Sequence, residues 1–249
     1  MLKIGLDAGH WLYEPGRRCL KAFDPCETRE WQLNDRVARF TEQMLSFYEC
    51  EVVRLDDPTG QKEVLLEERV RTANESELDV VVSIHHNGGA DGTESGGTVV
   101  YCSKNASEYS LQLQKALYHY AIQKAGLKGN RANPMPQAAH YITTYTKMPS
   151  VLIECGFMDS SVDVPVILTD EFARGIADSI VTALTEIFYL SAVPTFNPAP
   201  WSSEAREWAE STGLISGYGD GTMGYNRPVT REELVVILHK FNQLLNGGD

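Results

Sequence analysis

Over the first 190 residues, short apolar runs alternate with longer stretches in which apolar positions recur every three or four residues. The short runs are Lys3–Leu6, Glu51–Leu55, Val80–Ile84, Gly97–Cys102 and Val151–Ile153, and their length and β-branched content predict strands. Val80-Val81-Val82 and Val151-Leu152-Ile153 are apolar at consecutive positions, which predicts strands covered on both faces and central in a sheet. Helical stripes run through Leu33, Val37, Phe40 and Met44, through Leu65–Ala73, through Leu111–Ala125, and through Phe172–Ile187, where Ile176, Ile180, Ala183 and Ile187 share a face. Strands alternating with helices predict an α/β fold, a sheet flanked by helices.

After Leu190 the pattern changes. SAVPTFNPAPWSS holds three prolines and no charge, the composition of an extended linker. Beyond it, Ala205, Trp208, Ala209 and Leu214 have helical spacing over Ser203–Gly213. GLISGYGDGTMGYNRP is too rich in glycine for a regular element, and Thr230 followed by Glu233 predicts a capping box opening the helix REELVVILHKFNQLL. The expected organisation is a main domain over 1–190, a linker over 191–200 and a small helical module over 201–249. At about 50 residues the module sits near the lower limit for independent folding.

Composition narrows the function classes. The 249 residues are 43% hydrophobic, enough for a real core, and 22 Lys plus Arg against 34 Asp plus Glu give a formal charge of −12. Such a balance argues against a sequence-independent grip on nucleic acid or anionic lipid. The chain shows neither a basic start with an apolar run behind it nor a stretch of membrane-spanning length, so synthesis in the cytoplasm without a signal peptide is expected. Cys19, Cys26, Cys50, Cys102 and Cys155 are odd in number and lack a C-x-x-C pair, which argues for reduced thiols rather than a disulfide framework or a four-cysteine zinc site.

The unusual polar residues fall where strands end. His10 follows KIGLDAG, His85 and His86 follow DVVVSI, and Glu154 follows SVLI, and ligands of open α/β sheets collect beyond the carboxyl ends of strands. Glu30 precedes Leu33, Val37, Phe40 and Met44 at spacings of three and four, so it lies on the stripe that faces the core. A carboxylate there is costly unless it is paired, hydrogen-bonded or bound to a metal. Nitrogen and oxygen donors without paired thiols suit Zn²⁺, in a three-ligand His₂Glu arrangement with one carboxylate left as base. Each residue also has a plainer reading. His10 can be a satisfied loop histidine, His85 or His86 a cap on a strand end, Glu30 a first-turn acid favoured by the helix dipole, and Glu154 a partner for Arg54 or Arg69. The coincidence of all four favours the site.

The segments IGLDAGH, TREWQLNDRVA, DDPTGQKEVLLEERVRTAN, DVVVSIHHNGG and MPSVLIECGFMDS, in that order, resemble the successive motifs of the zinc-dependent N-acetylmuramoyl-L-alanine amidases of the amidase 3 type. The resemblance spans roughly residues 3–190. It implies a twisted, mostly parallel six-stranded sheet flanked by helices, and one Zn²⁺ per chain held by His10, Glu30 and His85. It implies that Glu154 is catalytic, and it places Asn87 and His86 where substrate binds. The family's D-P-G-H-G-G is DAGHWLYEPG here, with Trp11 beside the ligand, and His86 fills the variable position of S-I-H-x-N. Adjacent strand residues point to opposite faces, so His86 is expected to face away from the metal.

WAESTGLISGYGDGTMGYNRPVTREEL resembles one S-layer homology repeat, which implies cell-wall binding through Trp208, Thr230, Arg231 and Glu233. Such repeats usually occur in threes, so a single one implies weak binding or three chains associating into a homo-oligomer. The combined expectation is a peptidoglycan hydrolase of the endolysin kind. It would act on the Gram-positive wall after release, with peptidoglycan and secondary wall polymer as partners and with no nucleic acid or membrane partner. The alternatives are a zinc peptidase or deacetylase acting on the wall, and a non-catalytic wall-binding or assembly protein.

Overall fold

The computed structural model describes residues 1–193, 202–217, 223–225 and 229–245. The chain forms two compact units, Met1–Val193 and Pro194–Asp249.

In the first unit, the strands are β1 (Leu2–Ala8), β2 (Cys50–Arg54), β3 (Val80–Asn87), β4 (Val99–Tyr101) and β5 (Ser150–Phe157). They form one sheet in the order β2-β1-β3-β5-β4, so β3, with its unbroken valine run, is the central strand. The β1–β2, β1–β3 and β3–β5 pairings are parallel, and β4 runs antiparallel along β5. This corrects the expected strand count: among the described residues the sheet has five strands rather than six, and it is mixed, with three of its four pairings parallel. The apolar runs of the sequence never numbered more than five. At the β4 edge only three residues pair before Cys102 leaves for a single bridge to Gln137, and among the described residues no further strand joins there.

Period-two alternation divides the side chains between the two faces of the sheet. Ile4, Leu6, Val80, Val82, Ile84, Val151 and Ile153 join the larger core, packed by α1 (Glu30–Leu45), α3 (Glu108–Lys124) and α6 (Asp170–Phe188). In α1, Leu33, Val37 and Ala38 are buried, with Phe40 and Met44 packed partly buried against them, as the stripe predicts. The intervening residues Val81 and Leu152 join a smaller core with Leu55, Val70, Ala73, Leu78 and Ile142. That face is covered by the short helices α2 (Leu66–Glu75) and α4 (Tyr141–Tyr145). Next along the same rows come Ser83 and His85 on β3 and Glu154 on β5. Within the first unit, short helices over this face leave a groove at the carboxyl ends of three parallel strands. α5 (Val164–Ile167) leads into α6.

In the second unit, α7 (Ser203–Ser211) and α8 (Arg231–Leu245) are described. Ala209 and Leu214 are buried. The expected capping box is present: the Thr230 hydroxyl accepts the Glu233 N–H at 3.1 Å, and Glu233 Oε2 accepts the Thr230 N–H at 2.8 Å. The linker expectation falls largely on residues outside those described. Among the described residues, no helix is long and apolar enough to cross a membrane.

Candidate functional site

The site begins at the end of β1. The Gly9 N–H still donates to the Ile84 carbonyl at 2.9 Å, after which the chain turns, with His10 at φ 67°, in the left-handed region. Position 9 has to be glycine, because a Cβ there would lie 2.1 to 2.5 Å from the imidazole of His85. A non-glycine residue at positive φ is strained and persists only where its surroundings hold it. Arg69 of α2 does so. Its guanidinium donates to the His10 carbonyl at 2.7 Å, the Ala8 carbonyl at 3.0 Å and Asp7 Oδ1 at 2.6 Å, and its Nε to the Val64 carbonyl at 2.9 Å. Asp7 Oδ2 accepts from the Ser83 hydroxyl at 2.5 Å. Burial pushes the Asp7 carboxyl up, but the charges of Arg69 and His85 and the hydrogen bonds from Ser83 and Arg69 outweigh it and hold the group ionised.

Helix α1 starts on Glu30, which aims an almost fully buried carboxylate (1% exposed) at both histidines. Glu30 Oε1 lies 3.1 Å from His85 Nδ1 and accepts the His86 backbone N–H at 3.3 Å. Oε2 lies 3.2 Å from His10 Nε2, yet no group hydrogen-bonds to it. Burial raises this carboxyl, while His10 and His85 together more than offset that and hold it well below the usual range. His85 shows the converse: burial lowers it, and Glu30, Glu154 and Asp7 push it above the ordinary value. The rings of His10 and His85 meet edge to face at 5.0 Å between centroids.

One ligand atom from each of His10, Glu30 and His85 falls within 4.8 Å of the other two, the spacing of groups that can share one metal ion. Two imidazole nitrogens and one carboxylate oxygen form a donor set suited to Zn²⁺, and the unsatisfied Glu30 Oε2 supplies a buried acceptor for it. Outside this triad, Glu14 Oε2 lies 2.7 Å from His10 Nδ1. A carboxylate there accepts a hydrogen bond from Nδ1–H, fixing the tautomer that leaves the Nε2 lone pair facing the cluster.

Glu154 pairs with His85 across β3 and β5. Neither arginine offered by the sequence reaches it: Arg69 is bound to Asp7, and Arg54 to Asp35, Glu42 and Asp56. Its Oε2 is buried without a hydrogen bond. Burial, with the Glu30 charge, pushes the carboxyl up to about 7, although His85, His10 and Arg17 pull the other way.

His86 turns to the opposite face, against α1. It is 2% exposed, and its Nδ1 lies 2.8 Å from Asn34 Oδ1. Asn34 Nδ2 donates to the Gly9 carbonyl at 3.0 Å, so its Oδ1 faces His86, and His86 Nδ1 carries the proton. Burial lowers His86 to about 3, with Glu30 opposing, so its ring is neutral. The expectation that His86 binds substrate is therefore corrected: it holds α1 to the β1 turn. Asn87 ends β3, with its Oδ1 accepting the Gly88 N–H at 2.8 Å and its side chain beside the Tyr101 hydroxyl. A groove of about 420 Å³ opens over the cluster, lined by His10, Trp11, Glu14, Arg17, His85 and His140 among others. In the second unit Trp208 is 47% exposed and contacts Phe241, Arg231 is exposed, and Thr230 and Glu233 are joined in the cap.

Glu14, Asn34, the Asp7–Ser83–Arg69 network and His140 were not singled out from sequence as parts of the site. Only Glu14 carried a local signal, a carboxylate four residues after a candidate ligand.

An open α/β sheet with a His₂Glu cluster around a buried carboxylate, and a second, unpaired carboxylate at its carboxyl edge, has the make-up of a hydrolase site. The chain belongs to the amidase 3 family, N-acetylmuramoyl-L-alanine amidase, whose model matches residues 4–186. Residues 197–235 match the S-layer homology domain. The chain is 30% identical over 125 residues to the N-acetylmuramoyl-L-alanine amidase LytC of Bacillus subtilis, covering 47% of this chain and 24% of that one. It is 31% identical over 130 residues to the endolysin of Bacillus phage SPP1, covering 49% of this chain and 45% of that one. It thus spans less than half the length of either relative. Its fold is similar to the catalytic domain of CwlV, an N-acetylmuramoyl-L-alanine amidase from Bacillus (Paenibacillus) polymyxa var. colistinus. The TM-score is 0.67 at 23% identity, over 77% of this chain and 100% of that one.

Proposed function

We propose that the protein hydrolyses the amide joining the lactyl group of N-acetylmuramic acid to L-alanine of the peptidoglycan stem peptide. The observation that carries this reading is Glu154, a half-buried residue whose Oε2 is shielded from solvent without a hydrogen bond, set across from His85 at the edge of a His₂Glu cluster. His10, Glu30 and His85 would hold one Zn²⁺, which when bound polarises a carbonyl and acidifies water. Glu154 Oε2 accepts a proton from the attacking water and returns it to the departing alanine nitrogen, work suited to a carboxyl pushed up to about 7. Arg69 and Asn34 fix the turn that carries His10, and Glu14 sets its tautomer. Asn87, which ends β3 beside the Tyr101 hydroxyl, is assigned to substrate binding.

Wall attachment is assigned to the second unit, through Trp208, Thr230, Arg231 and Glu233. The exposed Leu234, Val235, Leu238 and Leu245 of α8 support association of several chains there. The similarity to a phage endolysin supports a lytic role on a Gram-positive wall. The test is mass spectrometry of digested peptidoglycan: an amidase frees intact stem peptides with an N-terminal alanine, whereas cut peptides or deacetylated sugars would reject the reading.

Glu14 gives a separate check on the metal site. Glu14→Ala should weaken Zn²⁺ binding by about 10- to 100-fold, read by chelator competition, because it removes the group that orients His10. Unchanged affinity would show that the contact does not tune the ligand.

A further inference from the structure

The groove contains a third histidine that the chemistry above does not use. His140 lines it together with His10 and His85, and its Nε2 is buried with no hydrogen-bond partner. Its ring packs edge to face on Tyr101, 4.6 Å between centroids. Its main chain is anchored where α4 begins, the carbonyl accepting the Thr144 N–H at 2.9 Å and the Thr143 hydroxyl at 3.3 Å. The ring is thus held in place with one nitrogen left without a partner. A buried polar atom without a partner is disfavoured, and a ligand that supplies one is bound by that difference.

We propose that His140 is a substrate-binding residue, its Nε2 forming a hydrogen bond with a backbone amide of the stem peptide. Burial holds its imidazole below the ordinary value, so it meets its ligand neutral and suits an amide better than a carboxylate. The groove lining mixes the charged residues Glu14, Arg17, Glu63 and Glu67 with an apolar share that suits a peptide. Tyr141, Ile142 and Leu152 line it, as do Leu65 and Leu66, which are large apolar residues left exposed. Such walls suit the methyl groups and extended backbone of a peptide better than a surface of hydroxyls.

This inference rests on the amidase reading, and the experiment separates the two. Zinc-loaded full-length chain is assayed on a soluble muramoyl peptide, comparing wild type with His140→Ala, His140→Phe and His140→Gln. His140→Phe keeps the ring contact with Tyr101 but cannot form the hydrogen bond. Both Ala and Phe should raise KM about tenfold, the worth of one hydrogen bond, with kcat and zinc content near wild type, and Gln should recover part of the loss. The free stem peptide, used as a competitive inhibitor, should lose affinity by the same factor. Wild-type KM in His140→Phe would overturn the proposal, as would a loss confined to kcat or zinc. A raised KM with unchanged inhibition by free peptide would place the contact on the glycan and overturn it too. If wild type itself leaves the muramoyl amide uncut, the amidase reading fails and this inference with it.

Discussion

Glu154→Gln should lower turnover of muramoyl peptide by about 10²- to 10⁴-fold, the usual contribution of a positioned proton carrier, while zinc stays at the wild-type level. Glutamine keeps the volume and the buried position but cannot carry a proton through the cycle. The zinc measurement separates this loss from collapse of the metal site, since Glu154 is not in the His10–Glu30–His85 cluster. The variant should also fold well, because the charge removed has no ion-pair partner: Arg54 and Arg69 are both bound elsewhere. A carboxyl raised from 4.5 to about 7 by burial destabilises the fold progressively as pH rises through that window, since the unfolded chain ionises first. Metal-free Glu154→Gln should therefore gain melting temperature over metal-free wild type at pH 8 and lose that advantage near pH 4. Retained turnover in Glu154→Gln would remove the residue from the chemistry.

The core elements were legible because burial on a sheet or helix imposes a period that composition reveals. The valine run marked β3 as central, and the stripe through Leu33 and Val37 placed α1 with Glu30 at its start. Strand ends were less legible: β3 continues to Asn87 and β5 to Phe157, past the apolar runs, because Glu154 opposite His85 and Phe157 opposite Asn87 still pair across the sheet. The supporting partners lay beyond any periodicity. Asp7 meets Arg69 and Ser83, and Asn34 meets His86, across more than 50 residues of chain in each case. A buried polar residue in a sequence states that it needs a partner, not which one it finds. The four candidate residues stood out because each lies at a strand end or a helix start. Arg69 and Asn34 looked like ordinary helix residues.

His85 and His86 give the sharpest contrast the fold allows between neighbouring residues. The pairing of β3 with β5 shifts between His85 and Asn87, but the extra residue is in β5, where Cys155 and Gly156 stand opposite His86 alone. β3 keeps its alternation through the pair, sending His85 to the groove and His86 to α1. His85→Ala removes one of three donors and should abolish zinc retention and turnover together, read by metal analysis and by release of stem peptide. His86→Ala should keep its zinc and show a loss of stability instead. It leaves the buried Asn34 Oδ1 without a donor, which costs about 1–3 kcal/mol, and a melting curve measures that directly. Because Asn34 also donates to the Gly9 carbonyl, the same substitution loosens the turn that sets His10, so zinc affinity should fall by a few-fold while occupancy at saturating metal stays complete. Zinc lost in His86→Ala and kept in His85→Ala would mean the register of β3 is wrong by one residue. That error would exchange the two faces for every side chain on the strand, turning Val80, Val82 and Ile84 out of the larger core they share with α1, α3 and α6.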